Sequence, residues 1–166
     1  MRLFSVFLLA IACLPLSGCG VYSLSGASIS GKTIRIQVFE NRARYVSPTL
    51  NAALTEKVRS RILSQTGLAP VSTDNADYNL SGVITAYEVT VTGVQNTQIA
   101  TQNRLTISVA VDFKNRPDPK ASFNQTFTRF TDFSATQTLQ SVEASLIDNI
   151  GAQLADDIFN KAFVNW

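Results

Sequence analysis

The spacing of apolar and polar residues predicts six regular elements between residues 33 and 163. Residues 33–39 (TIRIQVF) alternate between the two classes, which is typical of a half-buried strand. Residues 104–114 alternate in the same way, and residues 78–91 and 122–133 are rich in β-branched and aromatic side chains. These three stretches are predicted strands, and Gly82 indicates a bulge in the first of them.

Two further stretches place apolar residues at helical spacing. Ser47 and Pro48 are predicted as the N-cap and first residue of the earlier helix, and Gly67 as its end. Its polar residues, including Thr55, are expected to face away from the core. The later helix is predicted over residues 139–163. The apolar positions are Leu50, Leu54, Val58 and Ile62 in the first helix, and Val142, Leu146, Ile150, Leu154, Ile158 and Ala162 in the second.

The predicted order of elements indicates an α+β fold: one strand, a helix, three strands and a second helix. We expect two helices packed on one face of a mixed, mainly antiparallel four-stranded sheet (order β-α-β-β-β-α). The other face, rich in Thr, Ser and Asn, is expected to meet water or a polar partner. Phe130 has the opposite parity to Phe123 and Phe127, so either a bulge near Thr128 returns it to the core or it packs outward.

The N-terminal residues predict lipid attachment. Residues 3–14 are almost entirely apolar, but they are too few to span a bilayer and are typical of a signal-peptide core. The following residues, Leu16-Ser17-Gly18-Cys19, fit a lipobox, in which a peptidase cleaves before the cysteine and its thiol carries a diacylglycerol. Cys19 is therefore the predicted lipid anchor, and Cys13 leaves with the signal peptide.

The predicted organisation is a signal peptide over residues 1–18, an acylated cysteine and tether over residues 19–31, and one α+β domain over residues 32–166. Several acyl chains make such an attachment stable. No aspartate follows Cys19. This favours export to the outer membrane, where the lipid-anchored domain would face the periplasm.

The composition argues against several classes of function. The chain has 14 Lys+Arg, 12 Asp+Glu and no His, a formal net charge of +2. Without histidine, the commonest general base and transition-metal ligand is missing. The near-neutral charge argues against binding nucleic acid by counterion release. Because no catalytic or phosphate-binding motif is found, we expect no cofactor, no metal and no enzymatic activity.

Carboxylates leave one catalytic alternative open. An anchored enzyme that uses Glu88, Asp112 or Asp132 would need two carboxylates that converge in a pocket. Asp156 and Asp157 are adjacent in the last predicted helix, where neighbouring side chains point about 100° apart. They are expected to belong to a solvated helix face.

Basic residues near one predicted hairpin form a candidate anion-binding site. Clustered cations bind phosphate or carboxylate groups, and arginine does so through a bidentate fork. Ordinary solubility of the hairpin is the alternative interpretation. The residues are Lys114, Arg116 and Lys120 around the turn, Arg104 at the far end of the same strand, and Arg129 on the partner strand.

The order of several longer motifs resembles the lipopolysaccharide-assembly lipoprotein (LptE) family. The resemblance covers residues 19–166. The motifs are CGVYSLSGASI, TIRIQVFENRA, SPTLNAALTEKVRSRILSQTGL, NRLTISVAVDF and the terminal DDIFNKAFVNW.

The resemblance implies a non-enzymatic protein on the periplasmic side of the outer membrane. Members of the family sit partly inside the β-barrel translocon LptD as a plug that also helps the barrel to assemble. Some bind lipopolysaccharide through basic residues, which makes Arg104, Lys114, Arg116 and Lys120 the candidate lipopolysaccharide-binding residues. Two alternatives remain: an auxiliary lipoprotein of an ABC-type or lipid-trafficking transport complex, and the carboxylate enzyme described above.

Overall fold

The structure, a computed structural model, describes residues 29–45, 47–95 and 99–164. The predicted signal peptide, Cys19 and most of the tether lie outside the described residues. The elements, in chain order, are β1 (Thr33–Ile36), β2 (Glu40–Asn41), α1 (Leu50–Thr66), β3 (Ala69–Pro70), β4 (Tyr78–Gln95), β5 (Ile99–Asn115), a short 3-10 helix (Pro119–Ala121), β6 (Phe123–Ser134) and α2 (Leu139–Phe163).

The strands form one mixed sheet in the order β3-β1-β4-β5-β6, with β2 also paired to β4. The α+β class is confirmed, but the predicted count of four strands is wrong. The sheet has six strands because β2 and β3, of two residues each, are too short to show a hydrophobic period. The prediction of a mainly antiparallel sheet holds for the long strands β4, β5 and β6, whereas β1, β2 and β3 pair in parallel.

Both helices pack on one face of the sheet. This face carries the alternating apolar residues of β5. Every second residue of that strand from Leu105 to Phe113 is buried, as are the predicted apolar positions of α1. At one end of the core, the ring of Phe163 in α2 lies edge-on to Tyr78 and Phe113, at centroid distances of 5.3 and 5.5 Å. This aromatic contact holds the last turn of α2 against the sheet.

The start of α1 differs from the prediction. The helix begins at Leu50, its N-cap is Thr49, and the Thr49 side chain makes no capping hydrogen bond. Ser47 is buried instead, and its carbonyl accepts a hydrogen bond from the Leu50 N–H. The predicted end is confirmed, because Gly67 adopts the left-handed conformation with φ 66°.

Thr55 was expected to face away from the core, and this expectation is wrong. Its side chain is buried, and its hydroxyl accepts a hydrogen bond from the Phe39 N–H at 2.9 Å while donating to the Asn51 carbonyl. The hydroxyl satisfies the N–H of Phe39 in the segment between β1 and β2, where the Gln37 N–H donates to the Leu80 carbonyl of β4.

Two irregularities were predicted in the strands, a bulge at Gly82 and a bulge or an outward-facing ring at Phe130. The structure shows no bulge at either position. The register of β4 against β5 is continuous through Gly82, and its shifts occur between Ile84 and Ala86 and on both sides of Gly93. The register of β5 against β6 has no shift. Phe130 therefore stays on the opposite face and is 48% exposed, which is the outward-packing alternative.

Candidate functional site

The face of the sheet that the helices leave uncovered is polar and rich in hydroxyl groups. At its centre, the hydroxyls of Ser108 in β5 and Thr128 in β6 are hydrogen-bonded at 2.8 Å. We call this surface the uncovered face. Its residues on the three long strands include Asn79, Ser81, Glu88, Thr90, Thr106, Ser108, Asp112, Asn124, Thr126, Thr128, Phe130 and Asp132. The prediction of a polar face rich in Thr, Ser and Asn is therefore confirmed.

Arg104 and Asp132 form the best-defined ion pair of the uncovered face. The Arg104 guanidinium donates from Nε and Nη2 to the two carboxylate oxygens at 2.7 and 2.9 Å. It also lies 3.7 Å from the centroid of the Phe130 ring. The hydrogen bond lowers the pKa of Asp132 and raises the pKa of Arg104. Both charges thus stay ionised, and each neutralises the other within the face.

The structure brings together only part of the predicted anion-binding cluster. Lys114, Arg116 and Lys120 gather at the turn between β5 and β6. Arg104 is ten residues from Lys114 along one extended strand, which corresponds to about 33 Å. Arg129 faces α2, where its guanidinium donates to Asp157 at 2.5 and 2.6 Å.

Two further lysines, which no local sequence pattern indicates, belong to the same end of the molecule. Lys32 immediately precedes β1, and its N–H donates to Asp77, which itself immediately precedes β4. Lys161 lies in the last turn of α2, 5.8 Å from the ring centroid of Phe123. We call the five residues together the basic end: Lys32, Lys114, Arg116, Lys120 and Lys161.

Lys120 and Lys161 line a cleft of about 440 Å³ between the 3-10 helix, the start of β6 and the C-terminus of α2. Ser122, Phe123 and Asn160 also line it, and none of the described residues of the lining carries a carboxylate. Two ammonium groups beside hydroxyl and amide groups suit a phosphate or carboxylate ligand. The sequence signal for this arrangement is weak, because folding alone brings Lys161 next to the turn.

The carboxylates do not converge as an acid–base pair. Asp112 and Asp132 both face outward but lie opposite Asn124 and Arg104 respectively, far apart along the strands. Asp156 and Asp157 diverge as predicted, yet they are not simply solvated: Asp156 pairs with Arg61 at 2.8 Å, and Asp157 with Arg129. In the described part of the chain, no three His, Cys, Asp or Glu side chains group as metal ligands.

Neither of the two α-helices in the described part of the chain is both long enough and apolar enough to cross a membrane.

Solved structures with the same fold include two lipoproteins and a hypothetical protein. A minor lipoprotein from Acinetobacter baumannii has a TM-score of 0.51 and 16% identity, covering 80% of this chain and 93% of its own. Rare lipoprotein B from Shewanella oneidensis has a TM-score of 0.52 and 16% identity, covering 77% and 92%. A hypothetical protein from Chlamydia trachomatis has a TM-score of 0.56 and 9% identity, covering 82% and 100%. At these identities the likeness concerns the fold alone.

A comparison with curated proteins finds no match. The model of the LptE lipopolysaccharide-assembly family, in contrast, matches residues 31–162, which is almost the whole of the described domain. This match confirms the resemblance seen in the sequence motifs: the chain belongs to the LptE family of lipopolysaccharide-assembly lipoproteins, a family without enzymatic activity.

Proposed function

We propose that this lipoprotein is anchored through Cys19 in the periplasmic leaflet of the outer membrane, where it plugs the LptD β-barrel and helps it to assemble. The observation that supports this function most directly is the chemistry of the uncovered face. Hydroxyl and amide groups dominate it, and its central strands carry no cluster of like charges. The lumen of a large membrane barrel is polar, so such a face docks through many ordinary hydrogen bonds.

The internal pairing of charges supports the same docking mode. Removing an ion from water is costly unless it is paired and hydrogen-bonded. Arg104 and Asp132 already satisfy each other through two hydrogen bonds, so a partner need not supply counter-charges for them. Ser108 and Thr128 leave hydroxyl lone pairs available for a lumen-facing side chain. The Arg104–Asp132 pair therefore adds little to the cost of desolvating the face.

Binding of lipopolysaccharide is the second part of the proposal. The phosphate groups of this glycolipid match the chemistry of the basic residues around the β5–β6 turn. Of the four candidates, Lys114, Arg116 and Lys120 lie together. Arg104 is separated from them and engaged by Asp132. The glycolipid contact is therefore assigned to the three residues of the turn.

A matched pair of substitutions tests the docking face. Thr128→Arg places an unpaired charge at the centre of the uncovered face, whereas Gln140→Arg places the same charge on an exposed position of α2. We expect a tagged wild-type protein and the Gln140→Arg variant to co-purify one-to-one with a single large β-barrel in mild detergent. Thr128→Arg should lose most of that barrel.

Two results would contradict the proposal. Recovery of an ABC-type complex instead of a barrel would favour the alternative, an auxiliary lipoprotein of a transport complex. Equal recovery of the barrel by both arginine variants would show that the uncovered face is not the docking surface. Circular dichroism of the two variants verifies that each retains the wild-type fold.

A further inference from the structure

Most of the basic residues that form no ion pair in the described part of the chain gather at one end. Eight basic side chains form ion pairs with carboxylates. Within residues 29–45, 47–95 and 99–164, five others have no carboxylate within 4.0 Å: Lys32, Arg44, Arg116, Lys120 and Lys161. All of these except Arg44 belong to the basic end. The fifth member of that end, Lys114, is 3.8 Å from Asp112 and keeps 69% of its side chain exposed.

The topology explains why these residues meet. β1, β4 and β6 begin at this end of the sheet, and β5 and α2 finish there. Arg116 follows β5, and its guanidinium donates to the carbonyl of Asn75 in the loop before β4. Its N–H donates to the carbonyl of Asp77, whose side chain binds the residues before β1. The loops that carry the cations are thus tied to one another.

Two acidic residues at the same end, Asp77 and Asp118, accept hydrogen bonds from backbone N–H groups. The Asp77 carboxylate accepts hydrogen bonds from the N–H groups of Lys32 and Thr33 and from the Thr33 hydroxyl. Asp118 accepts from the N–H of Lys120 at the start of the 3-10 helix. The ammonium groups of Lys32 and Lys120 are left for a ligand outside the domain.

The start of the described chain places this end closest to the predicted anchor. The N–H groups of Ser30 and Gly31 donate to the Tyr78 hydroxyl at 3.2 and 3.0 Å, so the chain enters the domain beside the basic end. Cys19 precedes Ile29 by ten residues. Ten residues span at most about 35 Å even when fully extended.

We propose that the basic end is a membrane-contact surface, which rests on the anionic phospholipid headgroups of the leaflet that holds the anchor and so orients the domain. The inference rests on the lipid anchorage proposed above. Phospholipid and lipopolysaccharide phosphates offer the same chemistry to these cations. A short tether holds the phospholipid surface at a high effective concentration beside Lys32, Arg116 and Lys120, so in the anchored protein we assign these cations to phospholipid. The glycolipid contact proposed above would compete with this surface for Arg116 and Lys120. Each basic residue near an anionic surface changes partitioning roughly fivefold.

Site-specific fluorescence quenching tests this orientation. The acylated full chain is reconstituted into vesicles of phosphatidylethanolamine and phosphatidylglycerol that carry a nitroxide-headgroup lipid as quencher. Ala121→Cys labels the basic end and Thr92→Cys labels β4 near its other end; both positions are exposed. Since Cys13 leaves with the signal and Cys19 is acylated, each variant carries one reactive thiol. We expect strong quenching at residue 121 and little at residue 92.

Three comparisons make the result specific. Adding Lys120→Gln to the Ala121→Cys protein should reduce quenching, adding Arg44→Gln should not, and neutralising Lys32, Arg116, Lys120 and Lys161 together should abolish it. High salt or purely phosphatidylcholine vesicles should have the same effect as the quadruple change. Equal quenching at residues 121 and 92, or an unchanged signal in the correctly folded quadruple variant, would overturn the proposal. Quenching that requires lipopolysaccharide in the vesicles would overturn it as well, in favour of a glycolipid site.

The same proteins separate this inference from the proposed function. If the quadruple variant loses quenching but still co-purifies with the barrel, membrane contact and plugging are independent. If the wild-type protein shows the quenching pattern but recovers no barrel, the membrane-contact surface stands and the plug does not.

Discussion

The ring of Phe39 occupies the space that a side chain on Gly82 would need. A Cβ on Gly82 would come within 2.8 Å of two ring carbons, closer than real Cβ atoms approach. Phe39 is 1% exposed and belongs to the segment between β1 and β2, whereas Gly82 lies on β4. Glycine at this position therefore serves close packing, and the contact fixes the β1–β2 segment over the sheet.

Gly82→Ala is expected to destabilise the domain by about 1–3 kcal/mol, the usual cost of adding a methyl group to a well-packed core. In urea unfolding, we expect a lower midpoint and an unchanged dependence of the unfolding free energy on urea concentration. Ser81→Ala is the matched control, because residue 81 points to the uncovered face and its substitution should change stability by less than about 0.5 kcal/mol. Equal midpoints for Gly82→Ala and the wild type would show that Phe39 moves aside without cost.

Thr55→Val tests the second contact of the same segment. The substitution keeps the shape of the side chain but leaves the buried Phe39 N–H without its acceptor, so we expect a loss of about 1–3 kcal/mol in the free energy of unfolding. Thr55→Ser keeps the hydroxyl and should recover most of this loss. If serine destabilises the domain while valine leaves its stability unchanged, the methyl group of Thr55, rather than its hydrogen bond, stabilises the fold.

These two contacts show where sequence reasoning stops. The alternation of β5 and the apolar stripe of α2 each run through many residues, and the pattern predicted both elements, including the bounds of α2. Thr55 and Gly82, in contrast, owe their roles to the position of Phe39, which comes from elsewhere in the chain. A pattern along one element carries no information about such a contact.

The same limit applies to the candidate sites: features carried by one element could be predicted, and those that join distant residues could not. The polarity of the uncovered face could be predicted because alternate residues of a strand share a face. The basic end could be predicted only around its turn, where Lys114, Arg116 and Lys120 are close in sequence. Lys32 and Lys161 join them through folding. Arg104 lies on the same strand as Lys114, but extended backbone carries it away from the cluster.

Asp77→Asn should make the domain less stable and less sensitive to acid. Hydrogen bonds from the Lys32 and Thr33 backbone lower the pKa of Asp77 below its ordinary value of 3.8. A lowered carboxyl pKa stabilises the fold fully above the unfolded-state value, and this contribution is lost as the pH falls through the folded-state value. The difference in urea midpoint between wild type and variant should therefore be full at neutral pH and shrink below pH 3.8. A difference that stays constant with pH would assign the effect to packing.

Arg104→Gln tests whether charge pairing on the uncovered face matters for docking. The single substitution leaves Asp132 as an unpaired charge, which must be desolvated when the face enters a polar lumen. We expect weaker recovery of the barrel with Arg104→Gln and restored recovery with Arg104→Gln/Asp132→Asn, which removes both charges. The stability of the isolated domain should hardly change in either variant, because the pair is exposed to solvent and exposed ion pairs contribute little. Equal recovery by all three proteins would mean that this pair lies outside the docking surface.

Cys19→Ser should remove the protein from the outer membrane, while Cys13→Ser should leave its attachment there unchanged. Only Cys19 is preceded by the small residues Ser17 and Gly18 after an apolar Leu16, the pattern that the lipoprotein peptidase requires. Acyl chains contribute about 0.8 kcal/mol for each buried methylene, so losing them converts stable anchoring into weak binding. Mass spectrometry of the N-terminal peptide should find acyl groups on the wild type and on Cys13→Ser, and none on Cys19→Ser. Membrane fractionation should place the wild type and Cys13→Ser in the outer membrane, but not Cys19→Ser. If Cys19→Ser remains with the outer membrane after washing at high salt, protein contacts, rather than lipid, hold the domain there.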